Sequence, residues 1–420
     1  MSAISMYKQT DIGAIPRDWV VCELADVASY SQNRVKASNS ETNTYVSCDN
    51  MLKDKGGVVP ASCVPETGSV TKYHAGNILI GNIRPYLKKI WLADKSGTCS
   101  ADVLCLQTFE NPIFLYNVLS SDVFFLHVMS NVKGTKMPRG DKQHIMQYKF
   151  PIPSDEEEQR AIATALADVD ALIEAKRVLL EKKRAIKQGT MQELLTGMLR
   201  LPGFPVTPMK HTEIGVLPED WEVRELGSLV DICSAKRVLQ SQWKSDGIPF
   251  YRTREIIVLA EQGSVENELY ISQELYKCNS CICPAPTEGD IMLTAVGTIG
   301  KTYLVREGDC FYYKDASVLC LRNQRKIVPG YLNLQLSYVT VQNQINGDSD
   351  GTTVKTITIN KAKKYLIPVP SSTLEQERIH EVIQDQDNEI RSLQKELSKL
   401  SCIKQGMMQN LLTGRIRLVD

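Results

Sequence analysis

Residues 186–201 read IKQGTMQELLTGMLRL and residues 403–418 read IKQGMMQNLLTGRIRL, with twelve of sixteen positions identical. A motif of that length returning once makes the chain a duplication. Further landmarks repeat around it. TDIGAIPRDWVVCEL (10–24) pairs with TEIGVLPEDWEVREL (212–226) at nine of fifteen positions, including Gly13/Gly215, Pro16/Pro218 and Trp19/Trp221. PIPSDEEEQRAI (151–162) echoes PVPSSTLEQERI (368–379), and GNILIGNIRPYLKK (76–89) corresponds more loosely to GDIMLTAVGTIGKT (289–302), each leading into VLCL. A period of roughly 200 residues is too long for a solenoid. The module is one variable globular head followed by one long helix, written twice.

The helices are legible from periodicity and punctuation. Residues 154–196 and 372–413 follow prolines, open on Ser154…Glu157 and Ser372…Glu375 as capping boxes, and stop at Gly197 and Gly414. In the second, Ile379, Ile383, Gln386, Ile390, Leu393, Leu397 and Leu400 keep the 4-3 spacing of a coiled-coil seam with one polar break. In the first, Ile162, Leu166, Val169, Ile173 and Leu180 form the seam, and Leu172, Leu179 and Ile186 broaden it. Early turns are acidic and later turns basic in both helices, so an antiparallel pair sets opposite charges side by side. About 42 residues at 1.5 Å each make a bar of roughly 60 Å. Gly189 and Gly406 inside the helices suggest a kink or a close backbone approach.

Composition narrows the class. The 420 residues carry no net formal charge, with 43% hydrophobic and 23% charged residues, as in an ordinary soluble protein of two or three domains. No apolar run reaches the length that spans a bilayer, and MSAISMYKQTDIG has no apolar core of a secretory signal, so no membrane partner and a cytoplasmic location are expected. The twelve cysteines then read as free thiols. Cys278, Cys281 and Cys283 lack the second ligand pair a structural zinc wants and read as small buried hydrophobes; no metal and no cofactor are expected.

One stretch argues otherwise. AVGTIGKT (295–302) has the form of a phosphate loop, with Lys301 for phosphates and Thr302 for magnesium. Its counterpart in the first copy carries Arg84, Pro85 and Tyr86 where glycines belong. The following TYLVREGDCFYYKDASVLCL reads as strands around a turn, whereas a phosphate loop must open a helix. A nucleotide-hydrolysing reading stays as an alternative, as does a coiled-coil adaptor whose heads bind protein.

The order head, long helix, head, long helix, with "EQ.RI" after "P.P" and "KQG.MQ.LLTG" at the helix end, resembles the specificity (S) subunits of Type I restriction–modification systems. The resemblance covers essentially the whole chain, and S-like subunits of Type IIB enzymes share the layout. It implies an α+β fold of two pseudo-repeated mixed α/β target recognition domains separated by two long helices, which form an antiparallel coiled coil with pseudo-two-fold symmetry. The implied division is 1–153 for the first recognition domain, 154–201 for the central helix, 202–370 for the second recognition domain and 371–420 for the C-terminal helix. In such a subunit each head reads one half of a bipartite site in double-stranded DNA. The helices set the spacing and dock two methyltransferase subunits, and restriction–translocase subunits complete the assembly. The implied subunit is non-catalytic. NPIF (111–114), the nearest approach to an adenine methyltransferase motif, has Ile113 in place of its second proline, and Phe114, Leu115 and Tyr116 read as core.

DNA contacts must be nominated from charge. In the first head NVKGTKMPRGDKQHIMQYK (131–149) gathers Lys133, Lys136, Arg139, Lys142 and Lys149 with only Asp141 opposing, and Arg84, Lys88 and Lys89 make a second patch. In the second head the candidates are Arg252, Arg254, Lys301, and Lys355 in the loop GDSDGTTVKT. Arginine suits base edges and lysine suits phosphate. Any one of these charges is also what an ordinary solvated surface supplies. Trp19 and Trp221 read as packing anchors between head and helix. A neutral chain is expected to bind DNA weakly alone and to gain affinity from its methyltransferase partners.

Overall fold

The computed structural model describes residues 6–347 and 355–418, which form two compact units. One contains residues up to Leu179 together with Leu393 onward; the other spans Leu180–Ser392. Each unit therefore holds one head and stretches of both long helices.

In the first unit a hairpin, Tyr7–Thr10 against Gly13–Pro16, leads into the strand Trp19–Glu23, which pairs antiparallel with Lys149–Pro153. The head thus closes on itself just before its helix begins. Its main sheet has four antiparallel strands in the order Ala28–Tyr30, Val103–Thr108, Ile78–Gly81, Ile90–Leu92. A second sheet joins Arg34–Lys36, Ser69–Tyr73, Gly97–Cys99 and Tyr45–Val46. The helices Pro112–Leu119 and Asp122–Ser130 bring Phe114, Leu115, Phe124 and Phe125 onto Ile78, Ile80, Leu104 and Leu106. Asn111 in NPIF accepts the Ile113 and Phe114 N–H groups and so caps the first of these helices; it is a structural start signal.

The second unit repeats the plan. Met209–Thr212 pairs with Gly215–Pro218, Trp221–Glu225 with Leu366–Pro370, and the main sheet runs Val230–Ser234, Val318–Asn323, Ile291–Thr294, Thr302–Leu304. The second sheet is smaller: Tyr270–Ile271, Ile248–Tyr251 and Tyr312–Tyr313. The sheets differ where the two sequences differ most.

The long helices are Glu156–Leu195 and Thr373–Leu411, 40 and 39 residues. Within the first unit Lys176 meets Glu396 at 2.6 Å and Asp170 meets Lys404 at 2.6 Å; within the second, Lys183 meets Glu389 at 2.7 Å and Lys187 meets Asp387 at 2.5 Å. Partner numbers fall as those of the first helix rise, so the strands of helix run antiparallel in each unit. Gln386, the polar break in the seam, donates to Thr190 at 3.2 Å. These ion pairs are partly solvated and specify register more than they stabilise.

The seam residues divide between two jobs. Ile162 and Leu166 are buried in the first head's core with Leu411 and Leu412, and Ile379 and Ile383 in the second head's core with Leu194 and Leu195. Ile173, Leu180, Ile390 and Leu393 are buried too, while Val169, Leu397 and Leu400 are half-buried. Leu172, Leu179 and Ile186 remain exposed.

Three local expectations need correction. Ser154 donates its hydroxyl to the Asp18 carbonyl and Asp155 accepts the Glu157 N–H at 2.9 Å, so no Ser154…Glu157 box forms. The Glu375 carboxylate is engaged by Arg200 and is not free to return to its own helix start. At Gly189 and Gly406 a Cβ would meet nothing within 4 Å, so no close backbone approach explains them.

The heads are fastened to the helices by one repeated clamp. In the first unit Arg417 reaches both Glu158 and Asp18, lies 5.8 Å from the Trp19 ring, and Trp19 donates its indole N–H to Glu158 at 3.0 Å. In the second unit Arg200 holds Glu375 and Asp220 and lies 5.9 Å from the Trp221 ring. Both tryptophans are fully buried. The most strongly repeated stretches of the chain (DW, EQ and LLTG..RL) are thus one three-dimensional joint, made twice.

Candidate nucleic-acid interface

In the first head, the main-sheet strand Ile78–Gly81 runs out into a turn at residues 82–89. Ile83 forms an antiparallel bridge with Arg139, and the Arg84 N–H donates to the Pro138 carbonyl at 2.8 Å. Pro138 and Arg139 belong to a short hairpin, Val132–Lys133 against Arg139–Gly140, whose tip turns at Gly134 with φ 89°. A third turn joins from the other side: the Asp54 N–H donates to the Leu87 carbonyl at 2.9 Å and the Lys55 N–H to the Lys88 carbonyl at 3.0 Å. The two basic patches nominated separately from the sequence are therefore one surface of three turns sewn together by backbone hydrogen bonds.

The backbone there is strained. Asp54, Lys55, Arg84 and Lys88 all have positive φ, between 49° and 64°. For non-glycine residues this conformation is costly and gathers at functional sites.

Charge pairing sorts the candidates. Lys88 and Lys55 share Asp122, at 2.9 and 3.3 Å; Arg139 pairs with Asp102 at 3.0 Å and Lys149 with Asp11 at 2.7 Å. Lys133 binds Asp141, and this pairing together with the capped His144 and Gln143 N–H groups lowers the Asp141 carboxyl to about 2. Lys89 donates to the Cys48 carbonyl, and Lys142 lies 6.0 Å from the Tyr30 ring. The basic loop is thus opposed by Asp102 and Asp11 as well as Asp141, from segments remote in sequence. Among the described residues the side chains of Arg84 and Lys136 have no ion-pair or hydrogen-bond partner, and both are exposed.

The second head builds the same frame. Val296 bridges Thr356, the Gly297 N–H donates to the Lys355 carbonyl at 3.2 Å, and the Ile357 N–H donates to the Ala295 carbonyl at 2.8 Å. Lys301 and Lys355 are exposed on it. Arg252 is already used, with Nε and Nη2 on Glu255 at 3.1 and 2.7 Å, whereas exposed Arg254 comes no nearer than 3.9 Å to Glu268. Residues 348–354 of the GDSDGTTVKT loop lie outside the described residues.

AVGTIGKT is part of this frame and not a phosphate loop. It is the connection between the antiparallel strands Ile291–Thr294 and Thr302–Leu304. The N–H groups of both its glycines and of Lys301 are engaged: Gly297 on Lys355, Gly300 on the Thr294 carbonyl at 2.9 Å, and Lys301 on the Thr294 hydroxyl at 2.9 Å. A strand, not a helix, begins at Thr302, so no helix N-terminus faces an anion. The cysteine expectation also changes in part: Cys278 and Cys281 are exposed at the end of helix Gln273–Ile282, and Cys283 is half-buried with its thiol on the Ser234 carbonyl. Among the described residues no group of three metal-ligating side chains gathers anywhere.

The model of the Type I restriction modification DNA specificity domain matches residues 16–182 and again residues 218–401. The chain belongs to this family. Both copies of the specificity domain begin close to the buried tryptophan strands and run into the long helices. The MjaVIII specificity subunit of Methanocaldococcus jannaschii is 26% identical across 96% of this chain and 94% of its own length, and the Escherichia coli EcoBI specificity subunit 21% identical across 83% and 78%. Among solved structures, the Type I S subunit of M. genitalium superposes with a TM-score of 0.60 at 15% identity, covering 94% of this chain and 96% of that one. A chain from a type I restriction–modification system superposes at 0.55 with 20% identity, covering 96% and 99%. At such identities the structural likeness is one of fold.

Several members of the specificity-domain surface escape a reading by charge. The Asp54–Lys55 turn and Pro138 join it through backbone hydrogen bonds to Leu87, Lys88 and Arg84, and only the paired glycines of KDKGG hint at a turn. The clamp residues Arg200, Arg417, Glu158, Glu375, Asp18 and Asp220 were within reach, since all lie in repeated stretches.

Proposed function

We propose that this chain is the DNA-specificity subunit of a Type I restriction–modification complex, and that the edge turn and late loop sewn together in each head carry the surface that reads one half of a bipartite double-stranded DNA site. The observation that carries the reading is the repeated frame: the same edge turn is sewn to the same late loop in both heads, with different residues displayed on it. A reader of two different half-sites needs a common scaffold with divergent tips, since positioning is shared and base contacts are not. The heads, 1–153 and 202–370, are the recognition domains, and 154–201 and 371–420 the spacer. Exposed Leu172, Leu179, Ile186 and Ile403 on the long helices suit docking of two methyltransferase subunits, which restriction subunits would join. The chain itself is non-catalytic and works in the cytoplasm beside DNA. Nothing among the described residues favours nucleotide hydrolysis or a purely protein-binding adaptor.

Co-expression with the methyltransferase genes adjacent to it, followed by mapping of N6-methyladenine in host DNA, tests the proposal. A bipartite motif with an unspecified middle is the expected result; an assembled, active complex that yields no motif overturns it. Deletion of one helical turn from either long segment is expected to change the tolerated spacing between half-sites, which separates the spacer role from simple docking.

A further inference from the structure

The duplication supplies an internal control for what each position on the reading surface is for. Arg84 and Gly297 are equivalent: each follows the same main-sheet strand by the same number of residues, and each donates its N–H to the late loop, at 2.8 Å to Pro138 and 3.2 Å to Lys355. Both are left-handed, with φ 51° and 79°. The fold therefore demands a left-handed residue at this corner. Glycine is the unstrained solution, and the second head uses it. The first head keeps an arginine there, against the preference of its own backbone. A purely structural role for that side chain is hard to sustain, since its guanidinium touches no partner among the described residues.

The surroundings fit recognition. The Arg84 carbonyl accepts the Leu87 N–H at 2.9 Å and Pro85 is buried, so the side chain springs from a pinned backbone. Nearby on the sewn turns, Tyr86 and Met137 are half exposed, at 50% and 47%, and Lys136 is exposed and unpaired. The neighbouring cations Lys88, Lys133 and Arg139 are each held by a carboxylate. An unpaired guanidinium on a rigid corner, beside exposed apolar groups, differs from a solvated phosphate-binding cation on a flexible stem. Its planar fork matches the paired acceptors O6 and N7 of guanine in the major groove.

We propose that Arg84 is a specificity-determining residue of the first head and reads one guanine of its half-site, and that the second head, with Gly297 at the same corner, reads no base from there. This rests on the DNA-reading role proposed above.

The test uses the assembled methyltransferase complex and its methylation map with wild-type chain, Arg84→Gly and Arg84→Lys. Arg84→Gly copies the second head's own solution, so folding and assembly are expected to persist. The expected result is relaxation of one guanine position in one half-site, roughly tenfold or more in discrimination, with the other half-site unchanged, and Arg84→Lys only partly restoring it. Uniformly weaker methylation with the same motif, or no change, overturns the proposal and makes Arg84 a phosphate contact or a bystander. If Arg84→Gly methylates below detection, competition binding by the complex with duplexes carrying each base at each position decides. Equal binding of all four bases at one position supports the proposal, and an unaltered ranking overturns it. A wild-type complex without any motif would instead sink the DNA-reading role itself.

Discussion

Arg417 and Glu158 lie 259 positions apart, and the guanidinium of one grips the carboxylate of the other, with Nη2 at 2.7 Å from Oε2. Glu158 is wholly buried, while the Arg417 side chain is 31% exposed; in the equivalent pair, Arg200 and Glu375 are 4% and 2% exposed. Removing one member of a buried pair strands a charge, at a cost of about 3–5 kcal/mol. Arg200→Ala is expected to lose that much in chemical denaturation. Arg417→Ala should lose less, about 2–3 kcal/mol, because water reaches the site and screens it. Equal losses would show that burial does not govern the clamp.

Acid should release the same joints. Asp18 and Asp220 are held below the ordinary carboxyl range by the hydrogen bonds of Arg417 and Arg200, and Asp141 is held at about 2 by Lys133. A carboxyl whose folded pKa is depressed binds fewer protons folded than unfolded, so its stabilisation is complete above its free pKa near 4 and lost below. Thermal stability is expected to be flat above about pH 5 and to fall as pH drops from about 4 towards 2. Asp220→Asn should flatten that slope, measured by melting curves across the range.

The glycines of the repeated motif should respond in opposite senses. At Gly197 and Gly414, with φ 69° and 68°, a Cβ would run into the rings of Pro218 and Pro16. Alanine there is expected to destabilise by about 2 kcal/mol or more through strain and collision. At Gly189 and Gly406 the space is open, and alanine should stabilise the helix by about 0.5–1 kcal/mol each. Urea midpoints of the four single variants check both signs.

Mg·ATP should leave the melting temperature of the chain unchanged, and Lys301→Ala should not alter that. The N–H groups of both loop glycines and of Lys301 are engaged by Lys355 and Thr294, and a strand follows where a phosphate loop opens a helix. A saturable, Lys301-dependent shift would restore the nucleotide reading.

What was legible beforehand was what repeats locally. Helix periodicity, capping glycines and opposed charge gradients depend on neighbours within a few residues, so the long helices emerged within two residues of their observed ends. The capping boxes failed because Ser154 and Glu375 have stronger partners on other segments. The three-turn surface of the first head is half legible. Charge picked out both of its basic patches in the first head, but the Asp54–Lys55 turn carries no sign of membership, and Asp102 and Asp122 are too distant in sequence to be seen as the partners of Arg139 and Lys88.

The duplication, the two heads and the two long helices are written in the chain itself, because apolar spacing and repeated motifs act over short range and appear twice. Long-range contacts decide which cations stay unpaired, that two distant basic patches and the Asp54–Lys55 turn make one surface, and what pins the AVGTIGKT corner. Each of those depends on long-range backbone pairing, such as Ile83 with Arg139 and Val296 with Thr356, which no local pattern encodes.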